Sequence, residues 1–229
     1  MDRREWLRRL RRENVEQEDA LSAVYDARWG EIEETHRAFV ERFLSRLPAG
    51  GRVLDAACGT GKYFGIVVDT GRSLLGMDHS AGHLARAREK FPQVPTEVSE
   101  LQDFAYQQEF DGVMCVDALE MIPPEDYPGI LGSFHRALRP GGLLYLTVER
   151  VPEDQVREWT EEARRSGLPA VEGEVIWEDG SYHHYPSMDP VRGWLAGAGF
   201  TVDEDLEGPW DPIDDFAYHH VLAHVRQGG

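Results

Sequence analysis

Only two cysteines, Cys58 and Cys115, occur in 229 residues, too few for a disulfide framework. One falls in a glycine-rich loop and the other in an apolar segment that reads as a core strand, so the expected compartment is the reducing cytoplasm. No apolar run approaches the ~20 residues that cross a bilayer. The opening Asp2-Arg3-Arg4-Glu5-Trp6 lacks the apolar stretch of a secretory signal, and no membrane association is expected. Lysine is nearly missing: of 24 basic residues only Lys62 and Lys90 are lysines. A formal net charge of −18 repels a polyphosphate backbone, and no extended basic stripe offsets it. Nucleic acid is therefore not an expected partner. The one basic cluster (Arg3, Arg4, Arg8, Arg9, Arg11, Arg12) is interleaved with Trp6, Leu7 and Leu10 at near-helical spacing. That pattern reads as a terminal helix packing on the domain or on a second subunit rather than an anionic-surface binder.

What is present suffices for one globular domain. A hydrophobic share of 41% with six tryptophans supports a central sheet covered on both faces. Helical periodicity runs over 4–29 and 31–47, where Pro48 and Gly50-Gly51 stop it. Strand and helix then alternate as in a doubly wound fold: strand 52–56, helix 61–70, strand 73–78, helix 80–90, strands 94–98 and 110–116, helix 125–138, strand 143–149. An amphipathic helix follows at 153–166. A hairpin is expected from Glu174–Trp177 and Tyr182–Tyr185 about Asp179-Gly180, then helix 189–198 and strands 200–206 and 218–225. No repeat, low-complexity segment or domain-parting linker interrupts the chain.

The run Val53-Leu54-Asp55-Ala56-Ala57-Cys58-Gly59-Thr60-Gly61 takes an apolar strand through an acid into a glycine loop, a design that admits a nucleoside. A phosphate-binding P-loop needs a glycine at 56 and Ser or Thr after Lys62, where the chain has Ala56 and Tyr63. A dinucleotide fingerprint needs a small residue at 64, where the chain has Phe64. The run resembles the first motif of class I S-adenosylmethionine-dependent methyltransferases, V-L-D-x-G-x-G-x-G, and departs from it at Ala57. An alanine there implies an ordinary, non-glycine backbone angle. Gly76-Met77-Asp78-His79-Ser80 resembles the second motif, G-x-D-x-S. Ser99-Glu100-Leu101-Gln102-Asp103-Phe104 loosely resembles G-D-A-x-x-L.

That resemblance spans about residues 20–225. It implies a Rossmann-like α/β fold: a seven-stranded methyltransferase sheet with helices on both faces, the last strand antiparallel, an N-terminal helical lid (1–47) and a β-hairpin insertion after strand 5. The other divisions are a cofactor-binding core (52–150), a substrate cap (151–188) and a closing helix with strands (189–229). It further implies that S-adenosylmethionine is held by Asp55, Ala57, Gly59, Gly61, Asp78, His79, Glu100, Leu101, Val116 and Asp117, leaving S-adenosylhomocysteine as product. Val24-Tyr25-Asp26-Ala27-Arg28-Trp29 resembles a segment that folds over this cofactor, although an aromatic pair at i, i+4 suits core packing equally well. Asp78 equally suits a helix cap, and Glu100 an exposed turn.

Methyl transfer is an in-line displacement, so a catalytic base is optional. His183, Tyr185 and Glu120 are the candidates for it. Trp29, Glu149, Trp177, His184, His219 and His220 are candidates for the acceptor's wall. Adjacent residues on a strand face opposite ways, so at most one of His183 and His184, and one of His219 and His220, can face a shared pocket. The histidine spacing matches no zinc pattern, and no metal is expected. Met121-Ile122-Pro123-Pro124-Glu125 lacks the D/N/S-P-P-Y/F/W tetrad of amino-methylating DNA enzymes, so the expected acceptor is a small molecule and the assembly a monomer or homodimer. Fold does not fix chemistry. A lyase, cyclase or ligand sensor binding the same cofactor, or a nicotinamide enzyme using Asp78, stays open at this point.

Overall fold

In the computed structural model, which describes residues 2–211 and 216–226, seven strands form one sheet. They are β1 (Arg52–Ala56), β2 (Ser73–Asp78), β3 (Thr96–Val98), β4 (Phe110–Cys115), β5 (Leu138–Arg150), β8 (Phe200–Asp211) and β9 (Phe216–Val225). Their spatial order is β3-β2-β1-β4-β5-β9-β8. The first five pair in parallel, and β9 runs antiparallel to both its neighbours. The central strands are apolar on both faces because helices cover both. On one face Leu54, Val113 and Leu144 pack with Leu131 and Phe134 of α6 (Tyr127–Ala137) and Leu195 of α8 (Met188–Gly197). On the other, Val53, Met114 and Tyr145 pack with Phe43 of α3 (Glu34–Arg46), Phe64 of α4 (Phe64–Val68) and Leu84 of α5 (Ala81–Lys90). The strand order reverses between β1 and β4, which opens a crevice at the carboxyl ends of those strands.

The N-terminal helical pattern is interrupted. The chain forms α1 (Arg3–Leu21) and α2 (Tyr25–Trp29), separated by a turn in which the Val24 amide donates to the Leu21 carbonyl. Helix formation after the glycine loop starts at Phe64, not 61, because Gly59 (φ 52°) and Gly61 (φ 77°) are left-handed. A side chain at Gly61 would sit 2.8 Å from the Phe64 ring, so this glycine is needed for packing as well as for the turn. The third strand is cut to 96–98 behind Pro95. β5 starts at Leu138, paired with Phe110 before a register shift.

The expected hairpin forms a separate two-stranded sheet of β6 (Glu174–Ile176) and β7 (Tyr182–His184). It packs with α7 (Glu153–Arg165) and α1 around Trp6, Leu7, Leu10, Ala163, Ala170 and Tyr182. The basic helix therefore docks on its own domain. Arg3 donates through Nη1 and Nη2 to the buried Glu174 carboxylate at 2.8 and 2.7 Å, and Arg11 pairs with Asp126. No described helix is long and apolar enough to cross a membrane.

Candidate active site

A cavity of about 610 Å³ lies over the carboxyl ends of β1, β2, β4 and β5, with α1, α2 and the hairpin forming its other walls, within the range of ligand sites. Its floor is built by the glycine loop. Ala57 has φ 64°, so the expectation of an ordinary backbone angle there is corrected: alanine adopts the left-handed conformation that the family motif reserves for glycine. The amides of Gly59 and Ser80 donate to Oδ2 and Oδ1 of Asp78 at 2.7 and 2.8 Å, which locks that carboxylate at the tip of β2. A Cβ on Gly59 would meet nothing nearer than His83 Nδ1 at 3.9 Å, so the space above the loop is open to a ligand.

The helices above the loop are tied down by carboxylates. Asp19 of α1 accepts from the Ser80 hydroxyl and the Gly82 amide at the start of α5, and these hydrogen bonds hold its own carboxyl below the ordinary range. Asp26 of α2 accepts from Lys90 Nζ at 2.7 Å and from the Thr60 hydroxyl of the loop. Between these ties Glu18 faces the cavity, 3.7 Å from His83 Nε2. Burial, reinforced by the negative Asp78 and Asp117, pushes its carboxyl up to about 7. Tyr25 lies 4.8 Å from the His83 ring and 5.3 Å from that of Trp29, and burial raises its phenol above the ordinary value.

Of the residues expected to hold the cofactor, Tyr25, Ala57, Gly59, Asp78, His79, Glu100, Leu101 and Asp117 line the cavity. Asp55, Gly61 and Val116 do not. Asp55 is fully buried with Oδ2 unpartnered, and burial next to Asp78 raises its carboxyl well above the usual range. Val116 packs into the core under α3. Asp117 turns out of β4 through a left-handed φ of 56°, its amide donating to Thr147 Oγ1 at 2.8 Å and its Oδ1 accepting from the Tyr218 hydroxyl.

At the β4–β5–β9 end the wall holds Glu120, Glu149, His183, Phe216 and Tyr218, with Trp29 also on the lining. Glu120 is 7% exposed and its Oε2 has no hydrogen-bond partner. Burial, then the charges of Asp117 and Glu149, push its carboxyl well above the usual range. Burial also lowers His183 to about 4, leaving a neutral ring at pH 7 with Nδ1 unpartnered. Four expected wall residues, and Tyr185, expected as a base, are not on the lining. Tyr185 and Trp177 pack with Trp159, Val151 and Val156 beneath the hairpin. His184 points away from His183 and meets the Tyr127 ring at 5.6 Å. His219 pairs with Asp205 on β8. His220 stacks on Phe39 at 4.4 Å and shares a 3.0 Å hydrogen bond with the Tyr145 hydroxyl. Strand alternation thus holds for both pairs, but neither histidine of the second pair reaches the cavity, and Tyr218 takes that place. Among the described residues no group of three or more His, Cys, Asp or Glu is arranged to hold a metal.

The sequence reading missed Glu18, His83 and Tyr218. Glu18 had a signal: Asn14, Glu18, Leu21 and Tyr25 follow helical spacing, and all four line the cavity. Tyr218 had none, since only the antiparallel return of β9 beside β5, with Tyr218 opposite Glu149, carries it there.

A doubly wound sheet of this order, with an acid at the tip of β2 over a glycine loop, defines the class I S-adenosylmethionine-dependent methyltransferases. Residues 28–205 match the family described as a methyltransferase domain, and the chain belongs to it. It is 31% identical to a ubiquinone biosynthesis O-methyltransferase of Xanthomonas axonopodis pv. citri (strain 306), over 71% of this chain and 69% of that one. It is 28% identical to a trans-aconitate 2-methyltransferase of Methylobacterium nodulans (strain LMG 21967 / CNCM I-2342 / ORS 2060), over 80% and 67%. Among solved structures, a SAM-dependent methyltransferase from Methanosarcina mazei superposes with a TM-score of 0.71 at 16% identity, over 83% of this chain and 98% of that one. The protein is an S-adenosylmethionine-dependent methyltransferase, and the lyase, cyclase and sensor readings are not favoured.

Proposed function

We propose that the cavity holds S-adenosylmethionine over the tips of β1 and β2 and presents a small-molecule acceptor to it from the tips of β4, β5 and β9. The observation that carries this is the continuity of the Gly59–Asp78 cradle with the chamber of Glu120, Glu149 and His183 in one cavity. The residues fit the cofactor. Each Asp78 oxygen accepts one backbone amide and keeps acceptor capacity for a ribose diol. The open space over Gly59 admits the nucleoside, and Glu100 and Leu101 border the adenine. Glu18 and Asp117 supply negative charge for the cationic end. When bound, the cofactor supplies an electrophilic methyl group on a positively charged sulfur. The chain aligns the acceptor with that methyl and excludes water beneath the lid of α1 and α2. Where the acceptor must lose a proton, the Glu120 carboxylate or the His183 ring takes it; Tyr185, stacked on His183 at 5.7 Å, is not on the cavity lining.

The whole of 1–229 acts as one unit: lid 1–47, cofactor core 52–150, cap 151–188 and closing segment 189–229. Its two free cysteines are buried, which supports a reducing, cytoplasmic setting. Its charge favours a small acceptor over nucleic acid, and it works as a monomer or homodimer. The test is titration with S-adenosylhomocysteine. Asp78→Asn and Asp78→Ala are expected to weaken binding by roughly 30-fold or more, the loss of one to two charge-assisted hydrogen bonds. Unchanged affinity in both variants would remove Asp78 from the site.

A further inference from the structure

We infer that the acceptor is a small organic amine, recognised as its ammonium ion by Glu120 and Glu149 within a chamber faced by Phe216 and Tyr218. This acceptor class rests on methyl transfer taking place at the cavity described above. A carboxylate that is 93% buried, with one oxygen lacking any partner, is costly. Glu120 is such a group: it is 7% exposed, its buried Oε2 has no hydrogen-bond partner, and the residue lines the cavity. Glu149 and Asp117 face the same chamber and repel its charge further. An ammonium ion entering there relieves all three, whereas a carboxylate acceptor adds a fourth negative group.

The wall offers an anion no free arginine or lysine among the described residues. Arg11 is the only arginine or lysine on it among the described residues, and Arg11 is already paired with Asp126. His183 is neutral near pH 7. The rings of Phe216 and Tyr218 meet edge to face at 4.9 Å, and together with Trp29 near the mouth they give apolar and cation–π surface to an aryl or alkyl substituent. The chamber lies at the β4–β5–β9 end, whereas the Asp78–Gly59 cradle is at β1 and β2. Glu120 and Glu149 therefore serve a different ligand from Asp78, with Asp117 between the two ends. For transfer, the ammonium gives one proton to Glu120, and the freed nitrogen lone pair forms the N–C bond. The S–C bond breaks with its electron pair returning to sulfur, so the products are a methylammonium ion, a thioether and the proton held by Glu120.

The test is calorimetric titration of the S-adenosylhomocysteine-saturated protein with 2-phenylethylamine, 2-phenylethanol and 3-phenylpropanoate. The amine is expected to bind at least ~10-fold more tightly than the alcohol, with the carboxylate weakest. Glu120→Gln is expected to remove most of that preference while leaving alcohol binding and S-adenosylhomocysteine affinity within about threefold, the latter showing that the fold is intact. Glu149→Gln provides a second variant should Glu120→Gln fail to fold. Equal or tighter binding of the alcohol or the carboxylate, no binding by the amine, or an amine preference that survives both substitutions overturns the inference. Failure of S-adenosylhomocysteine to bind the wild-type protein overturns the proposed function itself; saturation without amine preference overturns the acceptor class alone.

Discussion

Ala57 carries a left-handed φ of 64° at the base of the cofactor loop, a conformation that costs a residue with a Cβ about 1 kcal/mol or more. Ala57→Gly is therefore expected to raise stability by roughly 1 kcal/mol in urea unfolding, and a loss of stability would show that the loop is not strained there. Glu18 gives a pH-dependent counterpart. Its carboxyl is raised from 4.5 to about 7 by burial and by Asp78 and Asp117, so the folded state holds a proton that the unfolded state releases above 4.5. No penalty exists below that value; it grows as pH rises towards 7 and is constant beyond. Glu18→Gln should accordingly stabilise the cofactor-free protein at pH 8, by on the order of 3 kcal/mol, with the gain shrinking towards pH 5. A gain independent of pH would contradict the assignment. Asp78, Gly59 and Glu100 were legible because a strand-end acid and a turn glycine are local features tied to short spacings. Ala57 was misjudged because its side chain is ordinary and only the loop's geometry forces its backbone angle.

The helix α1 was readable as an element from Trp6, Leu7 and Leu10, but its partner was not. The structure sets those side chains against Tyr182, Ala163 and Ala170, with the Trp6 and Tyr182 rings 6.1 Å apart. Arg3 closes the contact on Glu174, whose side chain is fully buried and also accepts from the Tyr182 hydroxyl at 2.8 Å. Arg3→Ala removes the cation that balances this buried carboxylate. It should weaken the docking of α1 on the hairpin by on the order of 2–4 kcal/mol. Hydrogen exchange is the suitable measurement: faster exchange is expected in α1 and β6–β7, with β1, β4 and β5 unchanged. Uniform acceleration would instead mean that the hairpin and sheet unfold together. The paired histidines make the same point at strand level. Alternation correctly allows one of His183 and His184 into the cavity. It cannot say that His220 stops short of it, stacked on Phe39 of α3, because that depends on how far along β9 the helix covers the sheet.

At the scale of the whole molecule, lid, hairpin and sheet all contribute walls to the cavity, so cofactor binding should stabilise the protein as a unit. S-adenosylhomocysteine at about 100 times its dissociation constant adds ~2.7 kcal/mol and should raise Tm by roughly 5–10 °C. NAD should give no shift, and a shift with NAD alone would reassign the nucleoside site. The alternation of strands and helices, the glycine loop and the acid at the tip of β2 follow from the sequence alone, because periodicity of 2 and 3.6 and the backbone freedom of glycine act over a few residues. Only the tertiary structure decided that Glu18 and Tyr218 join the expected Glu120, Glu149 and Asp78 around one cavity. Those residues come from α1, β2, the turn after β4, β5 and β9, and only the order of strands and the docking of α1 bring together carboxylates some 130 residues apart, as Glu18 and Glu149 are.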